Sequence, residues 1–183
     1  MSNRYVINDG ICRAKDPANC THPNCPNGVL VAYNNAVDEN VMDFINEVRT
    51  KEQKGSSLIE VAEISSTQAE AMQELNGVDY TGYSVCLTGD AVAHIDKRHG
   101  KNGTADNSMA DDKDLARIGW VVDNFDKVEP GNRKTRKYKS SDNTLADIFV
   151  FSKNINGRYH VAIASPVTSK KTLYIVSAYR NKK

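Results

Sequence analysis

The C-terminal part of this chain most constrains the fold, because apolar and polar residues alternate there and short turn sequences interrupt the alternation. After Pro130 we expect four strands, around residues 134–139, 146–153, 159–165 and 172–179. The segments 154–157 and 168–171 supply turns between the last three strands. Connections this short make neighbouring strands antiparallel, so the sequence predicts an antiparallel meander.

The part of the chain before Pro130 has helical spacing instead. Apolar residues recur every three or four positions within residues 29–56, and a short strand is expected at 58–64. Helices are then expected from Ser65 to Gly77, over residues 89–99, and after Asp111. This order predicts an α+β fold, with N-terminal helices packed on one face of a four-stranded twisted antiparallel sheet.

We expect three regions: a Cys/His-rich segment (1–28), a helical linker or packing helix (29–56) and a main domain (57–183). No apolar run approaches the roughly 18 residues that a membrane span needs, and no secretory signal is evident, so we expect a cytoplasmic protein without a membrane partner. Residues 1–90 hold 6 Lys and Arg against 13 Asp and Glu, whereas residues 91–183 hold 18 against 10. The basic C-terminal half favours a polyanionic partner, and an ordinary mixed surface is the alternative.

The segment from Ala91 to Gly100 concentrates groups that suit phosphate chemistry. As a helix it places His94 and Arg98 one turn apart on one face, with Lys97 and His99 beside them. Histidine exchanges protons near neutral pH, and arginine binds phosphate oxygens in a bidentate fork. The alternative is a solvated helix end whose cations complement the helix dipole.

Two later segments add candidates for substrate contact. A basic strand offers cations for phosphates and one aromatic ring for stacking on a base; the alternative is an edge strand protected by lysines. Its residues are Arg133, Lys134, Arg136, Lys137, Tyr138 and Lys139. In the last strand, alternation places Ile175, Ser177 and Tyr179 on one face and Val176 and Ala178 on the other, so a hydroxyl and a phenol lie together. Ser177 and Tyr179 either bind a phosphate or are half-buried strand residues, and His160 is expected to be a structural histidine.

The N-terminal segment holds Cys12, Cys20, His22 and Cys25, four ligands of the kind that tetrahedral zinc takes. A segment with so few apolar residues needs some cross-link to become ordered, so we expect a structural zinc site. Free thiols and a disulfide are the alternatives. Cys86 stands apart from this cluster and is interpreted as a small core residue.

The order of these elements resembles the phage-associated branch of the barnase, EndoU, colicin and RelE-like nuclease superfold. Residues 84–87, the His-x-x-Lys-Arg-His helix, the helix around 115–122 and the strands ending in Ser177-x-Tyr179 carry the resemblance, which covers residues 57–183. It implies a metal-independent endoribonuclease, often a toxin or phage effector, in which the 2′-hydroxyl of RNA attacks phosphorus and leaves a 2′,3′-cyclic phosphate. His94 and His99 would transfer protons, Arg98 would stabilise the transition state, and Ser177 with Tyr179 would hold the phosphate.

The resemblance also implies partners and a location. RNA would be the substrate, no cofactor would be needed for catalysis, and a protein inhibitor or a phage component would be a partner. The protein would act in a phage-infected bacterial cell, on a virion, or in a target cell. Two other functions stay open: a nucleic-acid-binding module without chemistry, and a virion or interaction protein that docks through its Cys-rich end.

Overall fold

A computed structural model describes residues 26–131 and 147–182 of the chain. Within this part the fold is α+β, with helices packed against one mixed sheet. The helices are α1 (Pro26–Asn35), α2 (Glu39–Arg49), α3 (Ser66–Asn76), α4 (Gly89–His99), α5 (Asp112–Leu115) and α6 (Ile118–Asp123). The strands are β1 (Leu58–Glu63), β2 (Ser84–Thr88), β3 (Lys127–Pro130), β4 (Phe149–Ile155), β5 (Arg158–Val167) and β6 (Thr172–Lys182).

The sheet differs from the predicted four-stranded antiparallel meander. It has six strands in the order β1-β2-β6-β5-β4-β3, and β2 runs parallel to β6 while every other pair is antiparallel. The prediction was wrong because it assigned no strand to β2 or β3 and considered only sequence-local pairing. The strand expected around residues 134–139 lies outside the described residues. The last three predicted strands and the short strand at 58–64 are confirmed.

Local signals in the sequence explain several of the element boundaries. Ser65 and Gln68 form a capping box at the start of α3, and Gly77 ends it in the left-handed conformation. Asn156 and Gly157 both have positive φ in the two-residue turn between β4 and β5, as a type I′ hairpin requires. The helical pattern of residues 29–56 forms two helices, because Asp38 interrupts it and caps α2 through bonds to the N–H groups of Asn40 and Val41.

A β-bulge in β6 changes which residues share a face. Ala162 pairs with Ala178, but Ala164 pairs with Ile175, so Val176 is an extra residue on β6. Ile175 therefore shares a face with Ala178, and the prediction that it shares one with Ser177 and Tyr179 was wrong. Ser177 and Tyr179 still lie together, opposite Ile163 and Val161.

One buried cluster joins the helices to the sheet. Side chains from α1 and α2, including Tyr33, Val41 and Ile45, belong to the same cluster as Phe151 and Ile175 of the sheet. Helices α1 and α2 therefore share the core of the later domain. No helix within the described residues is long and apolar enough to cross a membrane.

Candidate active site

Helix α4 carries most of the predicted catalytic residues, and its predicted bounds of 89–99 are confirmed. Thr88 caps its start by accepting a hydrogen bond from the Ala91 N–H at 3.1 Å. Its buried face consists of Ala91, Val92 and Ile95, and the helix packs on β6 and β2. The burial of this apolar face fixes the direction in which the C-terminal turn of α4 points, and that turn holds the cations.

The loop that follows α4 folds back onto its last turn. Gly100 has an extended backbone with φ of −71°, a conformation that does not itself require glycine. Glycine is needed there because a Cβ would lie 2.5 Å from the carbonyl oxygen of Asp96. Four loop N–H groups then bond to the terminal carbonyls of α4, which helices leave without intrahelical partners. The pairs are Thr104 to Lys97, Ala105 and Asp106 to Arg98, and Met109 to His99. Met109 is buried, so the loop is anchored as well as hydrogen-bonded.

The folded-back loop brings the Asp106 carboxylate to the His99 imidazole. His99 Nδ1 lies 2.9 Å from Asp106 Oδ2, and the His99 side chain is 13% exposed. An ionised carboxylate only accepts, so Nδ1 carries the proton and Nε2 of a neutral ring keeps its lone pair. Partial burial raises the pKa of Asp106, but two hydrogen bonds from Ser108 and the interaction with His99 hold it below its ordinary value. Asp106 is therefore suited to orient His99 and to stabilise its protonated form.

Tyr179 completes this arrangement from the sheet. The rings of His99 and Tyr179 have centroids 5.4 Å apart and planes inclined by 32°. Ser177 lies on the same face of β6, about 7 Å along the strand. Ser177 is buried at 8% exposed, so of these two strand residues only Tyr179 is shown in contact with the His99 ring.

The remaining predicted residues of α4 lie at different places around the helix. Lys97 and Arg98 are exposed in the last turn, where their cationic groups are accessible to solvent. His94 is half-buried, and α-helical geometry places it about 140° from His99 around the axis. The two imidazoles therefore do not share a face of α4, whereas His94 and Arg98 are only about 40° apart.

Other predicted residues lie outside the described part of the chain. These are the basic strand Arg133 to Lys139 and the zinc ligands Cys12, Cys20, His22 and Cys25, which stay predictions. Within residues 26–131 and 147–182, no three His, Cys, Asp or Glu side chains are grouped to hold a metal ion. Cys86 is buried on β2, as predicted for a core residue.

Sequence reasoning missed Asp106, which lies in a polar loop that was given no role. One signal was present: Asp106 and Ser108 have the spacing of an Asx turn, in which the Asp side chain accepts from the N–H two residues later. That signal predicts the turn and not its partner. The contact with His99 depends on the loop's return to α4, which no local pattern indicates.

Comparison with known proteins bears on what this site does. No curated protein and no solved structure matches the chain. One family model, described as phage-Barnase-EndoU-ColicinE5/D-RelE like nuclease3, matches residues 62–183. This segment contains α4, the folded-back loop and β6, so every member of the arrangement around His99 lies inside it. The chain therefore belongs to this family of phage-associated nucleases.

Proposed function

We propose that this protein is a metal-independent endoribonuclease that cleaves RNA by attack of the 2′-hydroxyl on the adjacent phosphorus. The observation that carries the proposal is the His99 imidazole held between the Asp106 carboxylate and the Tyr179 ring. Membership of a nuclease family supplies the reaction class, cleavage of a phosphodiester. The choice of RNA rests on the need for an internal nucleophile, which the 2′-hydroxyl provides.

His99 is the general base in this mechanism. Its Nε2 takes the proton of the 2′-hydroxyl while the 2′ oxygen bonds to phosphorus, and Asp106 stabilises the imidazolium that forms. Arg98, exposed beside His99, neutralises charge on the phosphate oxygens as the bond to the 5′ oxygen breaks. Tyr179 binds a phosphate oxygen; Ser177, the other predicted phosphate ligand, is buried on β6. The products are a 2′,3′-cyclic phosphate and a 5′-hydroxyl.

The 5′ oxygen leaves with a proton from a second group. Two side chains are of the right kind: the imidazole of His94 and the phenol of Tyr179. Because His94 and His99 are about 140° apart on α4, Tyr179 is the nearer of the two to the His99 ring. Separate His94→Gln and Tyr179→Phe variants decide between them when each is assayed on a substrate with a poor leaving group and on one with a good leaving group. Loss of the acid lowers kcat more on the substrate with the poor leaving group.

The test is incubation of the full chain with total RNA in EDTA, followed by mass spectrometry of the product ends. We expect cyclic phosphate ends from wild type and a loss of about 100-fold or more for His99→Gln. Asp106→Asn should also lose activity, because the amide cannot stabilise the imidazolium. Asp126→Asn is the matched control: its side chain is 43% exposed against 44% for Asp106, and it pairs with Lys153.

Two results would contradict the proposal. One is RNA cleavage that persists in the His99→Gln variant, and the other is products that end in a 3′-hydroxyl. Tight, salt-sensitive RNA binding without turnover would instead favour a nucleic-acid-binding module. We further propose that the protein acts in the cytoplasm of a phage-infected bacterium, where a nuclease of this kind needs a protein inhibitor or a phage-encoded control.

A further inference from the structure

A buried polar cluster is connected to the candidate active site through β6. The Asp114 carboxylate, 4% exposed, accepts from the hydroxyl of Tyr33 at 2.5 Å, from Arg117 Nη1 at 3.1 Å and from Arg180 Nη1 at 3.2 Å. Tyr33 Oη also lies 2.8 Å from His160 Nδ1. The cluster joins α1, α5, β5 and β6, which are far apart in sequence. It therefore fixes the relative positions of these elements.

The proton positions in this cluster follow from counting donors. The single hydroxyl hydrogen of Tyr33 is donated to Asp114. The Tyr33 oxygen therefore accepts a hydrogen bond from the Nδ1–H group of a neutral His160 ring. Burial, reinforced by the charge of Asp114, raises the pKa of Tyr33, so the phenol stays neutral and remains a donor. Tyr33 thus links Asp114 to His160 in the sheet, because its hydroxyl donates a hydrogen bond to one and accepts a hydrogen bond from the other.

The cluster is connected to His99 by hydrogen bonds through one serine. Arg180, whose guanidinium binds Asp114, donates its backbone N–H to Ser108 Oγ at 3.0 Å. Ser108 in turn donates its own N–H to Asp106 Oδ1 at 2.9 Å, and Asp106 orients His99. Arg180 directly follows Tyr179 in β6. Ser108 therefore joins the loop that carries Asp106 to the strand that carries Tyr179.

From this path we propose that Tyr33 and Ser108 are positioning residues for the nuclease site. The Tyr33 hydroxyl holds Asp114, which in turn binds Arg180, and Ser108 holds the Asp106 loop on β6, so that His99, Asp106 and Tyr179 keep their relative placement. Tyr33 lies in α1, ahead of the segment 62–183 that the family model matches. A helix outside the family segment thus supports the site. The inference rests on the proposed function for its kinetic readout.

The test is a double-mutant cycle in the full chain with Tyr33→Phe and Ser108→Ala, assayed on an RNA oligonucleotide. Each single variant should lower kcat about tenfold with KM changed less than about twofold, because placement of the reacting groups is altered and substrate binding is not. If the residues act along one path, the double variant should be no slower than about the slower single variant. Ser108→Thr keeps the hydroxyl, so its kcat should be close to that of wild type and higher than that of Ser108→Ala.

Tyr80→Phe is the matched control for the tyrosine. Tyr80 is as buried as Tyr33, and its hydroxyl accepts from Asn76 Nδ2 at 2.8 Å, away from the Asp114 cluster. We expect it to leave kcat unchanged and to combine additively with Ser108→Ala. If the Tyr33 hydroxyl matters only for stability, the Tyr33→Phe and Tyr80→Phe variants will have the same kcat, and that result would contradict a positioning role.

A second readout does not depend on activity. The chain has four histidines, so the Nδ1 proton resonance of His99 can be assigned by comparison with His99→Gln. Tyr33→Phe and Ser108→Ala should shift or broaden this resonance, and Tyr80→Phe should not. An unchanged resonance with full kcat in folded Ser108→Ala would overturn the inference, as would equal kcat for Ser108→Ala and Ser108→Thr. A wild-type protein that does not cleave RNA would refute the proposed function while the resonance still tests the path.

Discussion

Lowering the pH should destabilise the fold through His160, whose side chain is fully buried. Burial is the main reason that its pKa falls from the ordinary 6.5 to about 4, and Arg180 and Arg117 lower it further while Asp114 opposes them. Above pH 6.5 the residue is neutral in both the folded and unfolded chains. Below pH 6.5 the unfolded chain binds a proton that the folded chain does not, so the free energy of unfolding decreases as the pH falls.

The size of this effect follows from the two pKa values. Their difference of about 2.5 corresponds to about 3 kcal/mol, because one pKa unit is worth about 1.4 kcal/mol. The loss should accumulate between pH 6.5 and about 4 and then level off. It is a large fraction of the roughly 5–15 kcal/mol that stabilises a typical domain.

The assay is urea unfolding followed by circular dichroism at several pH values, for wild type and His160→Gln. Carboxylates also titrate in this range, but they contribute to both proteins and largely cancel in the difference between them. The stability of wild type relative to the variant should be greatest near pH 7 and should fall by about 3 kcal/mol by pH 4. A difference that stays constant from pH 7 to pH 4 would refute the reasoning.

Three further substitutions test other parts of the fold. Gly103→Ala would place a Cβ 2.1 Å from the carbonyl oxygen of Asp106, so the loop must shift; we expect a loss of RNA cleavage at a nearly unchanged melting temperature, and full activity would contradict this. Gly119→Ala would place a Cβ 2.0 Å from the carbonyl oxygen of Val61, and should cost about 2 kcal/mol or more in urea unfolding, with no loss arguing against tight packing of α6 on β1. Asp38→Ala removes the cap of α2 and should cost about 1 kcal/mol, whereas Asp38→Asn should retain most of it.

Helices α3 and α4 could be predicted from sequence because their signals are local, whereas the single helix expected after Asp111 is two short helices, α5 and α6. Ser65 and Gly77 mark the ends of α3, and residues 89–99 form α4 as expected. The strands of the C-terminal meander were also predictable, since the Asn156-Gly157 turn fixes the pairing of its two neighbours. These features depend on residues within one turn or one hairpin.

The missed features depend on contacts between distant parts of the chain. β3 is four residues long, mostly exposed, and ends in Pro130, so it has little pattern to detect. β2 pairs with β6 across a long sequence separation, and the sequence around Cys86 does not indicate that Tyr174 is its pairing partner.

Only part of the candidate site was predictable for the same reason. His99 and Tyr179 were identified as reactive types in plausible elements, and they do meet. Asp106 was missed because its role comes from the loop's return to α4 and from Ser108. The extra residue Val176 also escaped prediction, because a bulge is defined by the partner strand.

The central place of β6 in the sheet bears on how the protein is made. β6 lies between β2 and β5, and it carries Tyr179, yet it is the last strand of the described chain to leave the ribosome. A nascent chain that ends before residue 172 has neither the partner of β2 nor the aromatic neighbour of His99. Long-range pairings of this kind form late, after the entropy of closing the intervening chain has been overcome. The arrangement around His99 therefore cannot assemble until β6 has been synthesised.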